Sequence, residues 1–291
     1  MLPLPPLTLG TSSLGARGTP RQVDELADAI IASRAFAVDT SNAYADGSSE
    51  LALGEALARA GHPDRLIITK VDARPGESFD GSRVRRSLEE SLRRLGVDRM
   101  PLLHLHDPYS ITVAEALAPG GAAAELVALR DEGLVDAIGI AAGRRDLVLD
   151  YVLTDVFDAV LTHNRYTLVD RSGSVILEAA AERRMTVFNA APFGGGILAG
   201  ADRRTYGYRQ PSAAFLEHVA RVRGLAERHG VALAAAALHF SLRSPLVAST
   251  VVGASTTARL RELDALVSTD VPEEFFHALE SLTPIPESPN D

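Results

Sequence analysis

Cysteine and tryptophan are both absent from this chain, and methionine occurs three times. Without cysteine there is no disulfide, no thiolate metal site and no cysteine nucleophile, a composition that accords with a reducing compartment. Aromatic residues are also sparse, 5% of 291, which leaves little material for a pocket built around large apolar ligands. Positive charge is in deficit: 29 Lys and Arg stand against 38 Asp and Glu, a net charge of −9. Nucleic-acid affinity comes mainly from Lys and Arg neutralising phosphates, so a nucleic-acid partner is not expected. The local run Arg83, Arg85, Arg86, Arg93 and Arg94 alternates with Glu89 and Glu90 at helical spacing, the pattern of a solvated face with ion pairs. No stretch approaches the roughly 20 apolar residues of a membrane span. The opening Met1-Leu-Pro-Leu-Pro-Pro6 lacks the basic start and continuous apolar core of a signal peptide. A soluble, cytoplasmic protein is expected, a monomer or a weak homo-oligomer.

Short apolar segments are plentiful. Eight of them recur along the chain: Leu7 to Leu9, Phe36 to Val38, Leu66 to Thr69, Pro101 to Leu105, Ala137 to Ala142, Ala159 to Leu161, Thr186 to Ala191 and Ser249 to Val252. Between them lie stretches of helical period, among them Val23 to Ser33, Ser49 to Ala60, Arg83 to Leu95, Ala122 to Asp131 and Val175 to Arg184. Ser82 ahead of Arg83, Ser49 ahead of Glu50, and Gly96, Gly133 and Gly230 read as start and stop signals. Strands alternating with helices of this size argue for parallel βαβ units, and eight such units in one domain of about 250 residues make a (β/α)8 TIM barrel. Residues 1–291 are read as one barrel domain. Its tail, 283–291, carries Pro284, Pro286 and Pro289 and is expected to be loose.

Four polar residues close three of the apolar segments or their loops. They are Asp39 and Tyr44 in Phe36-Ala-Val-Asp-Thr-Ser-Asn-Ala-Tyr44, Lys70 in Leu66-Ile-Ile-Thr-Lys70, and His106 in Leu102-Leu-His-Leu-His-Asp-Pro108. A barrel gathers its chemistry at the C-terminal ends of its strands, so these four can meet in one pocket. Each alone has a bland explanation: a turn aspartate, a solvated lysine, a packing tyrosine, a core histidine. Their order and flanking residues together do not. His104 alternates with His106 on one strand and faces the same side one layer deeper. The two histidines have no third partner at metal-ligand spacing, so no metal is expected.

The text around these residues resembles the aldo-keto reductase family. Leu9-Gly-Thr-Ser-Ser-Leu-Gly15, Ser91-Leu-Arg-Arg-Leu-Gly-Val-Asp98, Gly133-Leu-Val-Asp-Ala-Ile-Gly139, Ala191-Pro-Phe-Gly-Gly-Gly-Ile-Leu198 and Val252-Gly-Ala-Ser-Thr-Thr-Ala-Arg259 extend the likeness over nearly the whole chain. The resemblance implies an NAD(P)-dependent oxidoreductase in which Tyr44, Lys70, Asp39 and His106 are the catalytic tetrad. Hydride transfer leaves one proton to manage, and a tyrosine with a reference pKa near 10 needs Lys70 beside it to do so, with Asp39 holding the lysine. His106 would orient the substrate oxygen or ease proton delivery.

The same resemblance assigns the cofactor to His163, Pro192, Phe193, Gly194, Gly196, Leu198, Gly253, Ala254, Ser255 and Arg259. Backbone NH groups around Gly253, Ala254 and Ser255 are expected to meet phosphate oxygens. Departures stand out. The family's Ser-Asn after strand five is replaced by Ile140-Ala-Ala-Gly143, its strand-six glutamine by His163, and its stacking tyrosine by Ala190, with Phe193 nearby as an aromatic face. Arg259 matches a phosphate-binding arginine while Gly253 stands where a lysine is usual, so NAD is favoured over NADP. Asn164-Arg-Tyr-Thr-Leu-Val-Asp170 and Tyr206-Gly-Tyr-Arg-Gln-Pro-Ser-Ala213 resemble the aldose 1-dehydrogenase subgroup, which implies a polar small-molecule substrate, a sugar oxidised at its anomeric carbon to a lactone. A general aldehyde or pyridoxal oxidoreductase is the alternative enzyme, and a non-catalytic cofactor-binding accessory subunit the alternative class.

Overall fold

A computed structural model describes residues 4–33, 36–61, 65–200 and 205–291. Residues 1–3, half of the N-terminal segment read above, lie outside it. The strands are β1 (Leu7–Gly10), β2 (Ala37–Asp39), β3 (Ile67–Val71), β4 (Leu103–His106), β5 (Ile138–Ala141), β6 (Ala159–His163), β7 (Thr186–Ala190) and β8 (Ser249–Gly253). Each pairs in parallel with its sequence neighbour, and β8 returns to β1, closing a barrel. The fold is the (β/α)8 TIM barrel. All eight apolar segments became strands, because β-rich runs of this length bounded by helices have both faces covered in a parallel barrel.

Helices wrap the outside: α1 (Pro20–Ala32), α2 (Ser48–Ala60), α3 (Gly81–Leu95), α4 (Val113–Leu117), α5 (Ala122–Asp131), α6 (Arg145–Val152), α7 (Ser174–Glu182), α8 (Ala213–Arg228), α9 (Leu233–Leu242), α10 (Thr257–Ser268) and α11 (Glu273–Glu280). Gly96, Gly133 and Gly230 all take positive φ at or just past helix ends. The start signals fared less well. Asp80, not Ser82, caps α3 through the Arg83 amide, and Ser49 lies inside α2 with its hydroxyl on the Thr11 carbonyl. Two apolar layers result. One lies between sheet and helices; the other fills the barrel interior with Ile68, Leu102, Ala141, Ala159, Leu161, Phe188, Ala190 and Val251.

The tail is not loose. Ser288 is buried and its hydroxyl meets Asp170 Oδ2 at 2.5 Å, Asn290 Nδ2 donates to the Asn164 carbonyl at 3.1 Å, and Asp291 pairs with Arg165 at 2.5 Å and with Arg145 at 2.8 Å. Proline density pointed to irregular backbone, which is correct, but the polar residues between the prolines anchor it. No helix among the described residues is long and apolar enough to cross a membrane.

Candidate active site

Strand alternation decides what reaches the barrel mouth. Asp39 ends β2, Lys70 is the fourth residue of β3, and His106 ends β4, all on the inward face. Tyr44 arrives from the loop after β2, where Ala45 and Asp46 take φ of 50° and 53° and Gly47 takes 85°, a tight left-handed turn that carries the tyrosine back over the opening. The turn is held from below: Arg94 donates to the Asn42 carbonyl and to buried Glu50, and a Cβ on Gly47 would lie 2.4 Å from the Arg94 guanidinium carbon. The four residues expected to meet do meet.

Lys70 is 1% exposed, with Nζ 2.6 Å from both Asp39 Oδ1 and the Thr40 carbonyl. The ammonium also stands 4.6 Å from the centre of the Tyr44 ring. Burial acts to lower the lysine's pKa, but the Asp39 carboxylate and the Tyr44 hydroxyl outweigh it, so the ammonium is held above its ordinary value. For Tyr44 burial dominates and pushes the phenol up to about 12, with Lys70 pulling the other way. The tyrosine is therefore a proton-bearing hydroxyl at neutral pH. Its ring meets His106 edge to face, centroids 5.8 Å apart.

His106 has a partner that sequence reasoning missed. Asp72, one residue past β3, places Oδ1 2.6 Å from His106 Nδ1. Asp72 stands two residues after Lys70, but nothing in that spacing ties it to His106, which lies 34 positions further on. His104 sits a layer deeper, fully buried beside Lys70 in the strand register, and burial keeps its pKa low.

The mouth opens on a cavity of about 470 Å³ lined by the tetrad with Asp107, Tyr109, His163, Asn164, Ala190 and Tyr208. A second cavity of about 620 Å³ shares Ala191 and Gly253 with it and continues past Phe193, Gly195, Gly196 and Ser255 to Arg259 and Glu262 on α10. The two form one groove from the tetrad to the start of α10, a shape suited to an extended dinucleotide. At Gly253 a Cβ would meet nothing within 4 Å, so that wall is open. Asn164 Oδ1 is buried without a partner, an acceptor available to a ligand amide or hydroxyl. These features fit a nicotinamide dinucleotide.

Not every expected cofactor residue faces the groove. His163, Phe193, Gly196, Gly253, Ser255 and Arg259 line it. Leu198 and Ala254 are buried in the packed layers instead, and the Ala254 amide already donates to the Gly10 carbonyl, so it is not free for phosphate. Pro192 and Gly194 are likewise buried; the Gly194 amide bonds the Ala191 carbonyl, and a Cβ there would strike Tyr206. Phe193 lines the α10 end of the groove, not the tetrad end, where Tyr208 and His163 supply the rings. Burial lowers the pKa of His163. Its Nδ1 accepts from Asn164 Nδ2 at 3.1 Å, and only glycine at 143 leaves room for the imidazole, since a Cβ would lie 2.6 Å from Nε2.

A closed parallel barrel with its groove at the C-terminal ends of the strands puts the chain in the class of (β/α)8 TIM-barrel proteins. Residues 6–284 match the model of the Aldo/keto reductase family, and the chain belongs to that family. Among curated relatives, a D-threo-aldose 1-dehydrogenase from a Pseudomonas species is 34% identical over 219 residues, 74% of this chain and 66% of that protein. A pyridoxal 4-dehydrogenase from Microbacterium luteolum is 30% identical over 214 residues, 70% of this chain and 62% of that one. The chain thus spans just under two thirds of the length of these two relatives. An aldo-keto reductase from Bacillus halodurans, solved in its holo form, superposes with a TM-score of 0.77 at 20% identity, covering 97% of this chain and 93% of that one.

Proposed function

We propose that this protein oxidises the anomeric alcohol of an aldose to the lactone with a nicotinamide dinucleotide, and that Tyr44, Lys70, Asp39 and His106 carry the chemistry. The observation that carries this reading is the buried Lys70–Asp39 pair at 2.6 Å set 4.6 Å from the Tyr44 ring at the mouth of the groove. A lysine held so firmly as an ammonium has one chemical use there, to favour negative charge on the phenol oxygen as a proton leaves it. When bound, the nicotinamide supplies the acceptor or donor of hydride. Tyr44 exchanges the accompanying proton with the substrate oxygen, taking it in oxidation and giving it in reduction. In this reading His163 serves the carboxamide end of the cofactor, and Ser255 and Arg259 the phosphate end.

The lining supports a polyhydroxy substrate. Asp107 Oδ1 and Asn164 Oδ1 are buried acceptors without protein partners, and Tyr208, 85% exposed, offers a ring face at the rim. Hydroxyls donate to such oxygens, whereas an apolar aldehyde leaves them unmet at a cost of about 1–3 kcal/mol each. The pyridoxal alternative keeps support from the Microbacterium relative. NAD is favoured because Arg259, the one basic side chain lining the α10 end of the groove among the described residues, is 2.6 Å from Glu262, whose charge opposes a further phosphate. Purified protein with NAD or NADP and L-fucose, D-arabinose, L-galactose or pyridoxal is expected to reduce cofactor with a sugar, and Tyr44→Phe to abolish it. Pyridoxal turnover without sugar turnover would replace the substrate; silence in both directions would remove the enzyme reading.

A further inference from the structure

Asp72 is a second buried carboxylate at the mouth, and the Tyr44–Lys70–Asp39 arrangement does not need it. It is 6% exposed. Its Oδ2 accepts from the Ser41 hydroxyl and from the Ala43 amide at 3.1 Å, while Oδ1 faces His106 Nδ1 at 2.6 Å. Its backbone is tied to α3: the amide donates to Ser87 Oγ at 3.2 Å and the carbonyl accepts from Arg83 Nε at 3.1 Å. Burial acts to raise its pKa, but the contacts with His106, Ser41 and Ala43 outweigh burial and keep it ionised. Every partner of the carboxylate is then a donor, so the proton on that edge of the imidazole belongs to Nδ1. The Nε2 edge has Asp107 Oδ2 at 3.8 Å, too long for a hydrogen bond. Of the other titratable groups around the imidazole, Tyr44 meets it edge to face, and His104 and His163 couple to it only through space.

We propose that Asp72 is a positioning residue that fixes His106 in the Nδ1–H tautomer, so that Nε2 presents its lone pair to the mouth and receives the proton released in alcohol oxidation. The inference rests on the oxidoreductase reading above. As the substrate O–H bond breaks, its proton passes to Tyr44 while the proton of Tyr44 passes to Nε2. The O–H electron pair becomes the second bond of the carbonyl, and a nicotinamide bound in the groove would supply the acceptor for the hydride on the same carbon. His106 ends as an imidazolium whose Nδ1–H faces the Asp72 carboxylate, the division of labour that a buried aspartate performs for the histidine of serine hydrolases. A tyrosine whose proton is tightly held acquires an outlet.

Imidazole ¹H–¹⁵N long-range correlations read the tautomer directly, with His106→Gln assigning the signals. The wild type is expected to show Nδ1–H at neutral pH. In Asp72→Asn the amide donates to Nδ1, the pattern moves to Nε2–H, and kcat for the alcohol falls about 10²–10⁴-fold, with KM and reduced-cofactor binding little changed. An Nε2–H pattern in the wild type, or full kcat in Asp72→Asn, overturns the proposal. If Asp72→Asn does not fold, the wild-type spectrum decides. A protein without turnover on any substrate would fail the functional reading alone, because the spectrum is read without turnover.

Discussion

Lys70 and Asp39 show how much a single buried pair controls. Removing the cation in Lys70→Met leaves Asp39 as an uncompensated buried charge, expected to cost about 3–5 kcal/mol of stability as well as activity. Adding Asp39→Asn to that variant is expected to restore most of the stability and none of the activity, a contrast that urea unfolding and steady-state assays resolve. Glu90 makes a residue-scale case for pH. Its hydrogen bond to Arg83 outweighs desolvation and, with Asn42 and Arg74, holds the carboxyl down to about 2. A depressed carboxyl contributes stability that is fully present above its unfolded value, near 4.3, and is lost as pH falls through about 2. Glu50 and Asp170, both raised by burial, act with the opposite sign as acid is added. Glu90→Gln is therefore expected to flatten the acid limb of stability in urea midpoints taken between neutral pH and pH about 3. Asp39, Tyr44, Lys70 and His106 were legible because each stands in distinctive text. Asp72 was not, because what gives it meaning is a contact with residues 31 and 34 positions away.

At the scale of elements the strands were read almost to the residue and the helix starts less well, for a physical reason. A buried parallel strand is marked by its own composition, whereas a cap is marked by which nearby hydroxyl or carboxylate wins the first free amide. Asp80 wins at α3 because its extended backbone aims the side chain at the Arg83 amide. The short helices α4 and α6 escaped, being too brief for a helical period to stand out. Packing of α2 on α3 turns on Gly54, where a Cβ would lie 2.0 Å from the Arg94 carbonyl oxygen. Gly54→Ala must push the helices apart and is expected to cost about 1–3 kcal/mol, a fall in Tm of roughly 2–4 °C per kcal/mol for a chain of this class. Since α2 begins where the Tyr44 turn ends, some loss of kcat is expected with it.

The whole molecule is a closed sheet with its groove crossing β7, β8 and β1 at one end. A ligand that binds only the folded form stabilises it by about 2.7 kcal/mol at a hundred times its Kd. At equal concentration NAD is expected to raise Tm more than NADP, and Glu262→Ala to narrow the gap by freeing Arg259. The fold class and the location of the mouth were legible because alternation of strands and helices is a property of the whole chain. The anchoring of the tail was not, because it depends on Arg165, a side chain 2% exposed that waits 126 positions upstream for Asp291.

That anchoring has a bearing on handling the protein. Arg165 also donates to the Gly143 carbonyl, and Asn290 Nδ2 donates to the carbonyl of Asn164, a residue that lines the mouth. A change at Asn290 or Asp291 is therefore expected to be felt at the mouth, through Asn164 and Arg165. It would perturb kinetics before it touched stability.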